Sequence, residues 1–288
     1  MKQKREKKFK NVWKATLMEV REHKSSAAVY LVLRGLVILA LIRQILNQNY
    51  ENVFLCILTL LLLLVPSMIQ VTFKIELPTT LEIIILLFIF AAEILGEINE
   101  FYIIIPMWDT ILHTMNGFLA AAIGFSLVDL LNQSDRIKFE LSPLFLSIVA
   151  FCFSMTIGVV WEFFEFGMDQ LFFLDMQKDT VVHTISTVML DPAGGNVPYK
   201  ISGITETLVQ GQELGLGGYL DIGLIDTMKD LLVNFIGAVV FSVIGYFHVK
   251  YRKQKSFVAR FVPSKKEEKN DFLKIIEEKE EEKEKAER

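Results

Sequence analysis

Long apolar runs alternate with short polar breaks along this chain. Six runs, at about 27–46, 53–71, 79–98, 106–131, 142–167 and 223–247, approach the ~20 residues that an α-helix needs to cross a bilayer. The pattern predicts an all-α fold: a polytopic transmembrane bundle of about six spans. A charged arm at 1–26 precedes the membrane domain of 27–250, and a charged tail at 251–288 follows it. In the arm, Phe9, Val12, Trp13, Leu17 and Val20 recur at helical spacing, as in a helix lying on an anionic leaflet. A solvated leader that only sets topology is the alternative.

The segment 168–222 contains DPAGGNVP and GLGGYLDIG, whose Gly and Pro mark turns but lack the Gly-Lys-Ser/Thr ending of a phosphate loop. Between them and the fifth run, 175–190 reads as an amphipathic or re-entrant helix on the outer face. The ending EEKEEEKEKAER has no apolar face, so the tail reads as a charged helix or a disordered segment without chemistry.

Composition agrees with a membrane setting: 52% of residues are hydrophobic. Membrane lipids, and not nucleic acid, are the expected surroundings. Two cysteines, Cys56 and Cys152, both within apolar runs, imply neither a disulfide framework nor a Cys-based metal site. Charge sets the orientation. Residues 1–24 hold nine Lys/Arg, and Lys74, Arg136, Lys138 and the group Lys250, Arg252, Lys253 and Lys255 follow runs two, four and six. The alternate segments hold none, apart from Lys178 and Lys200 in 168–222. The excess of inner positive charge places both ends in the cytoplasm.

Against this apolar background, polar residues recur at one-face spacing in three runs. The fourth carries Asp109, His113 and Asn116, the fifth Glu162 and Glu165 with Asp169 beyond, and the sixth Asp226, Asp230 and Asn234. With runs four and six descending and run five ascending, the pairs Asp109/His113, Glu162/Glu165 and Asp226/Asp230 fall within roughly 3–10 Å of the outer ends of their helices, in one layer. Carboxylates at membrane depth need a partner, water or a cation. Oxygen ligands with one imidazole suit Mg²⁺, Mn²⁺, Zn²⁺ or non-haem iron. Asp109, His113, Glu162, Glu165 and Asp226 are therefore candidate ligands of a divalent metal. Asp230 is a candidate further ligand or general base, and Lys229 a candidate phosphate contact. Together they suggest a metal-assisted membrane enzyme acting on a phosphate-bearing lipid or isoprenoid. Cation or proton translocation, and a structural network that holds the helices together, are the competing readings.

Other residues carry smaller expectations. Pro106 suits the first turn of the fourth helix. Trp108, Trp161 and Tyr102 fit an outer aromatic belt, and Gly117, Gly158 and Gly237 fit close helix packing. Arg34 lies a third of the way into the first run, where it would snorkel or pair with a polar residue. The echo of DTILHT at Asp109 by DTVVHT at Asp179 makes Asp179 and His183 secondary candidates.

The combination WDTILHTMNG, WEFFEFGMD and GLIDTMKDLLVNFIGA resembles bacterial inner-membrane proteins of the YjdF type, over about residues 80–250. The resemblance implies a helical fold in a bacterial cytoplasmic membrane. It implies no reaction. The segment 175–220 and the tail extend beyond compact members of that type.

Overall fold

A computed structural model describes residues 2–22, 24–132, 141–251 and 260–286. Arg136, Lys138, Arg252, Lys253 and Lys255, which enter the charge count, lie outside the described residues. The fold is that of an all-α membrane protein. Five helices are long and apolar enough to cross a bilayer: Lys24–Leu46, Tyr50–Phe73, Trp108–Asp129, Pro143–Phe172 and Leu224–Tyr251. In chain order the helices are α1 (Lys2–Glu19), α2 (Lys24–Leu46), α3 (Tyr50–Leu62), α4 (Val65–Phe73), α5 (Thr79–Phe90), α6 (Phe101–Ile104), α7 (Trp108–Asn132), α8 (Pro143–Phe172), α9 (Leu224–Tyr251) and α10 (Phe272–Ala286). The second apolar run breaks between α3 and α4, where Pro66 sits in the first turn of α4. The third continues beyond α5 as a π-helical stretch, Ala91–Ile98.

Exposure along these helices is inverted relative to a water-soluble protein. Leu31, Leu39, Phe54, Phe163, Phe166 and Leu232 are exposed, while Gln70, Glu82, Ser154, Glu162, Asp230 and Asn234 are buried. A bundle surrounded by lipid gains little from hiding Leu and Phe, but it must satisfy polar groups internally.

The chain divides into two compact units, one of residues 1–155 and 234–288, the other of residues 156–233. In the first, α7 and α9 approach until backbone meets backbone. A Cβ added at Gly117 would stand 2.1 Å from the Asn234 carbonyl oxygen, and one at Gly237 would stand 2.1 Å from that of Thr114. Below this crossing, Phe118 and Phe125 of α7 meet Phe241 of α9, and Phe125 also faces Gly245. Advancing along α7 thus advances along α9, so the two helices run in the same direction. Ser154 of α8 donates its hydroxyl to the Gly117 carbonyl at 2.7 Å, adding a third helix to the junction.

The two ends of the chain fold onto the same unit. Strand β1 (Ile75–Glu76) pairs antiparallel with β8 (Ser264–Lys265). Phe261 is buried in the core with its ring 5.2 Å from that of Phe118. The buried Lys266 ammonium lies between Glu19, its close ion-pair partner, and Glu22 at 3.7 Å. Acidic α10 lies along basic α1, where Glu280 meets Asn11, Lys7 and Lys14. The tail is therefore helical at its end, as its charge run suggested, but it carries a buried apolar and ionic anchor that a purely solvated tail would lack.

The second unit corrects the expectation of a helix at 175–190. That stretch forms β2 (Val181–Val182) and β3 (Thr184–Thr187). These pair with β7 (Tyr219–Leu220) and β4 (Tyr199–Ser202), and β5 (Leu208–Val209) pairs with β6 (Gln212–Glu213). The β-branched run TVVHTIST favours extended backbone, and the glycines at 203, 211, 215 and 217, all at positive φ, let the chain reverse between strands.

Two predictions follow from the first unit. Gly117→Val or Gly237→Val should destabilise the protein by about 1–3 kcal/mol or more, because the new atoms meet fixed backbone. Gly35→Ala, which meets nothing within 4 Å, should be neutral or mildly stabilising. Thermal unfolding in detergent compares the three. Burial is the main cause that pushes the Glu19 carboxyl up to about 7, against the opposing pull of Lys266 and with help from the negative charges of Glu22 and Glu82. The folded form then binds more protons than the unfolded chain between the usual carboxylate value and about 7. The clasp of the chain ends should loosen as pH rises through that window. Hydrogen exchange at the Lys266 amide, which donates to the Lys74 carbonyl, should show this loss of protection, and Glu19→Gln should flatten it.

Candidate functional site

The start of α7 differs from its expected form. Pro106 does not occupy the first helical turn. It lies two residues ahead of Trp108, and Met107 takes a left-handed conformation with φ of 66°. Met107 accepts the first helical hydrogen bond, from the Ile111 amide. The sharp turn sets Trp108 edge-on against Phe101 at 5.0 Å and begins the helix immediately before Asp109.

From that start, the i,i+4 spacing of an α-helix stacks the side chain of His113 with that of Asp109. The His113 Nε2 lies 3.4 Å from the Asp109 carboxylate. The imidazole is buried and the carboxylate is partly accessible, so the pair opens at its acid end. One turn below His113 is Gly117, the point of contact with α9. There Asn116 donates its amide to the Asn234 side-chain oxygen at 3.2 Å, and the Asn234 amide lies 3.5 Å from the Ser154 carbonyl. Asn234 is almost wholly buried, so this junction is a dry, hydrogen-bonded floor beneath the acid–imidazole pair.

In the second unit, α8 turns Glu162 and Glu165 to its buried face while Phe163, Phe164 and Phe166 are exposed. Trp161 donates its indole N–H to Glu165 at 2.8 Å. It thereby orients a carboxylate, a role that the expectation of an aromatic belt did not include. Three further acids of this unit hold backbone. Asp169 accepts from the amides of Met176 and Gln177, Asp226 from the amide of Lys178, and Asp221 from those of Thr180 and Ile225. Burial pushes the Asp221 carboxyl up, but the surrounding backbone amides together outweigh it and hold the group below the ordinary value. The Asp179 carboxyl is raised by burial and by the negative charges of Asp175, Asp221 and Asp169.

Of the residues expected to act together, Asp109 and His113 meet directly. Glu162 and Glu165 share one face of α8. Asp226 is engaged at one oxygen by the loop that follows α8, where it helps to fasten that loop to the start of α9. Asp230 is buried on α9, one turn before Asn234, whereas Lys229 lies on the exposed side of that helix with Met228 and Leu232. Asp179 is exposed ahead of β2, and His183 bonds through Nδ1 to the Ile204 carbonyl within the loop. Ser154 was missed from sequence. A single serine in the run AFCFSMT carries little signal beyond being small and polar in a membrane helix.

No curated protein and no solved structure matches the chain. A family model described as a predicted membrane protein (DUF2238) matches residues 29–251, a range that runs from within α2 to the end of α9 and takes in the acidic groups of the candidate site. The chain thus belongs to the DUF2238 family of membrane proteins.

Proposed function

We propose that this multi-pass membrane protein binds a divalent cation at Asp109, His113 and Asp230, and that the bound ion assists chemistry on a phosphate-bearing lipid or isoprenoid headgroup. The Asp109–His113 pair standing one turn above the α7–α9 crossing carries the reading. Each of the three residues could offer one ligand atom to such an ion. Two carboxylates and one imidazole suit Mn²⁺, Zn²⁺ or iron(II), with Mg²⁺ favoured if water completes the shell. Three protein ligands leave positions open for water and a phosphate oxygen, the arrangement a Lewis acid needs. Glu162 and Glu165 are reserve acids for proton transfer or a second ion, and Asp226 is fastened to the loop.

The floor argues against a conduction path. One turn below His113, the backbones of α7 and α9 touch, Asn116 bonds to Asn234, and Ser154 bonds to Gly117, so packed and hydrogen-bonded groups occupy the way down. A binding or catalytic role fits that form better than cation or proton transport.

Topology and location belong to the same proposal. Segments before α2, between α4 and α5, and after α9 meet in the β1–β8 clasp, so all three lie on one side of the membrane. From β1 to β8 the chain must then cross an even number of times. The long helices α7, α8 and α9 supply three crossings, and α5 with its π-helical continuation supplies the fourth. That gives six spans with both ends on one side. The Lys/Arg excess of the arm makes that side the cytoplasm, and the likeness to the YjdF type suggests a bacterial cytoplasmic membrane.

Metal analysis of the purified protein, beside Asp109→Asn, His113→Ala and Asp230→Asn, tests the proposal. Wild type grown with ample metal should carry about one divalent ion per chain, and each variant should bind it at least roughly 10–100-fold more weakly. Metal-free wild type would overturn the site. Metal retained without chelator-sensitive release of phosphate from lipid phosphates would overturn the enzymatic part alone.

A further inference from the structure

On the clasp side of the first unit, α1 leaves part of its length uncovered beside α2. A cavity of about 310 Å³ opens between them, lined by Trp13, Leu17, Arg21, Tyr30, Leu31 and Arg34 among others. Among the described residues, no Asp or Glu lines it. Apolar walls and two guanidinium groups are an unusual pairing, because a lone cation within a membrane helix is costly.

Arg34 shows how that cost is met within the protein. Its guanidinium reaches back one turn toward the start of α2, donates to the Tyr30 hydroxyl at 2.6 Å and stands 5.8 Å from that ring. Among the described residues it has no carboxylate partner. A phenol hydroxyl and a ring face satisfy one donor and a fraction of the charge, so most of the fork remains available for an anion. Arg21, at the turn between α1 and α2, brings a second cation to the cavity, nearer the end of α2. The exposed flank beside them is apolar: Phe9, Trp13 and Leu17 follow one another at four-residue spacing on α1, and Leu31 and Leu39 lie along α2.

We propose that this cavity holds one anionic phospholipid of the adjoining leaflet, with its phosphate between Arg21 and Arg34 and an acyl chain along the exposed leucines of α2. Charge complementarity selects the headgroup, since two cations without an acid favour net negative charge over a zwitterion. The apolar walls and flank select a lipid over free phosphate. The site shares no residue with Asp109, His113 and Asp230. Unlike a surface arm that only senses leaflet charge, it gives one lipid a defined seat beside the first membrane helix.

Native mass spectrometry of the full-length protein, equilibrated with equal amounts of phosphatidylglycerol and phosphatidylcholine of identical chains, reads the preference directly. Wild type should retain phosphatidylglycerol over phosphatidylcholine by about tenfold, the scale of one or two charge-assisted hydrogen bonds. The double change Arg21→Gln with Arg34→Gln should bring the ratio near one, and Arg21→Lys with Arg34→Lys should keep most of it. Arg21→Gln alone, at an exposed position that packing does not depend on, should lower the ratio even if the double variant fails to fold. Equal retention of both lipids by wild type, or an undiminished preference in the Gln variants, would overturn the proposal.

Discussion

Contact between the backbones of α7 and α9 at Gly117 and Gly237 is the constraint on which the rest of the architecture depends. Helices in lipid gain no hydrophobic energy by meeting, so their association must come from close packing and from bonds between polar groups. Two glycines remove the side chains that would hold the axes apart, and the space released is occupied by the Asn234 and Thr114 carbonyls. That closeness lets Asn116 reach Asn234 and lets Ser154 bond to Gly117. One pair of missing Cβ atoms thereby fixes three helices and a dry polar floor.

The same crossing explains why an acid–imidazole pair can persist at membrane depth. His113 stands one turn above a rigid floor and is almost fully buried, while Asp109 keeps a path outward. A looser junction would admit water from below and let the imidazole rotate away from its acid. Second-unit acids such as Asp169, Asp221 and Asp226 do different work: their oxygens bind loop amides and fasten the strand-bearing loop to the helix ends that flank it. Carboxylates of one chemical type thus divide between orienting backbone and presenting charge, according to how many amides surround them.

Much of this was legible from residue spacing. The apolar runs located the long helices, and the recurrence of Asp109, His113 and Asn116 identified the face of α7 that carries the pair. Gly117 and Gly237 announced close packing by their size alone. Local misreadings had local causes. Pro106 suits a helical first turn, yet Met107 takes a positive φ and delays the helix by two residues. The strands β2 and β3 are too short for alternation to register, and turns between them depend on glycine conformations that no periodicity reports. Long-range pairing was the larger gap. Nothing near Ile75 signals that Lys265 will pair with it, and a charge count along the tail cannot reveal that Lys266 will be buried against Glu19.

That pairing also bears on when the molecule becomes complete. Phe261 fills the same aromatic cluster as Phe118 and Phe241, and it belongs to a segment made after every membrane helix. The ring cannot seat until α9 is in the bilayer and the chain beyond it has left the ribosome. Until that moment the helix core has an unfilled place, and β1 has an unpaired edge. Closing of the chain ends therefore comes after α9 is made, and a chain arrested before Phe261 would have a gap at its own centre.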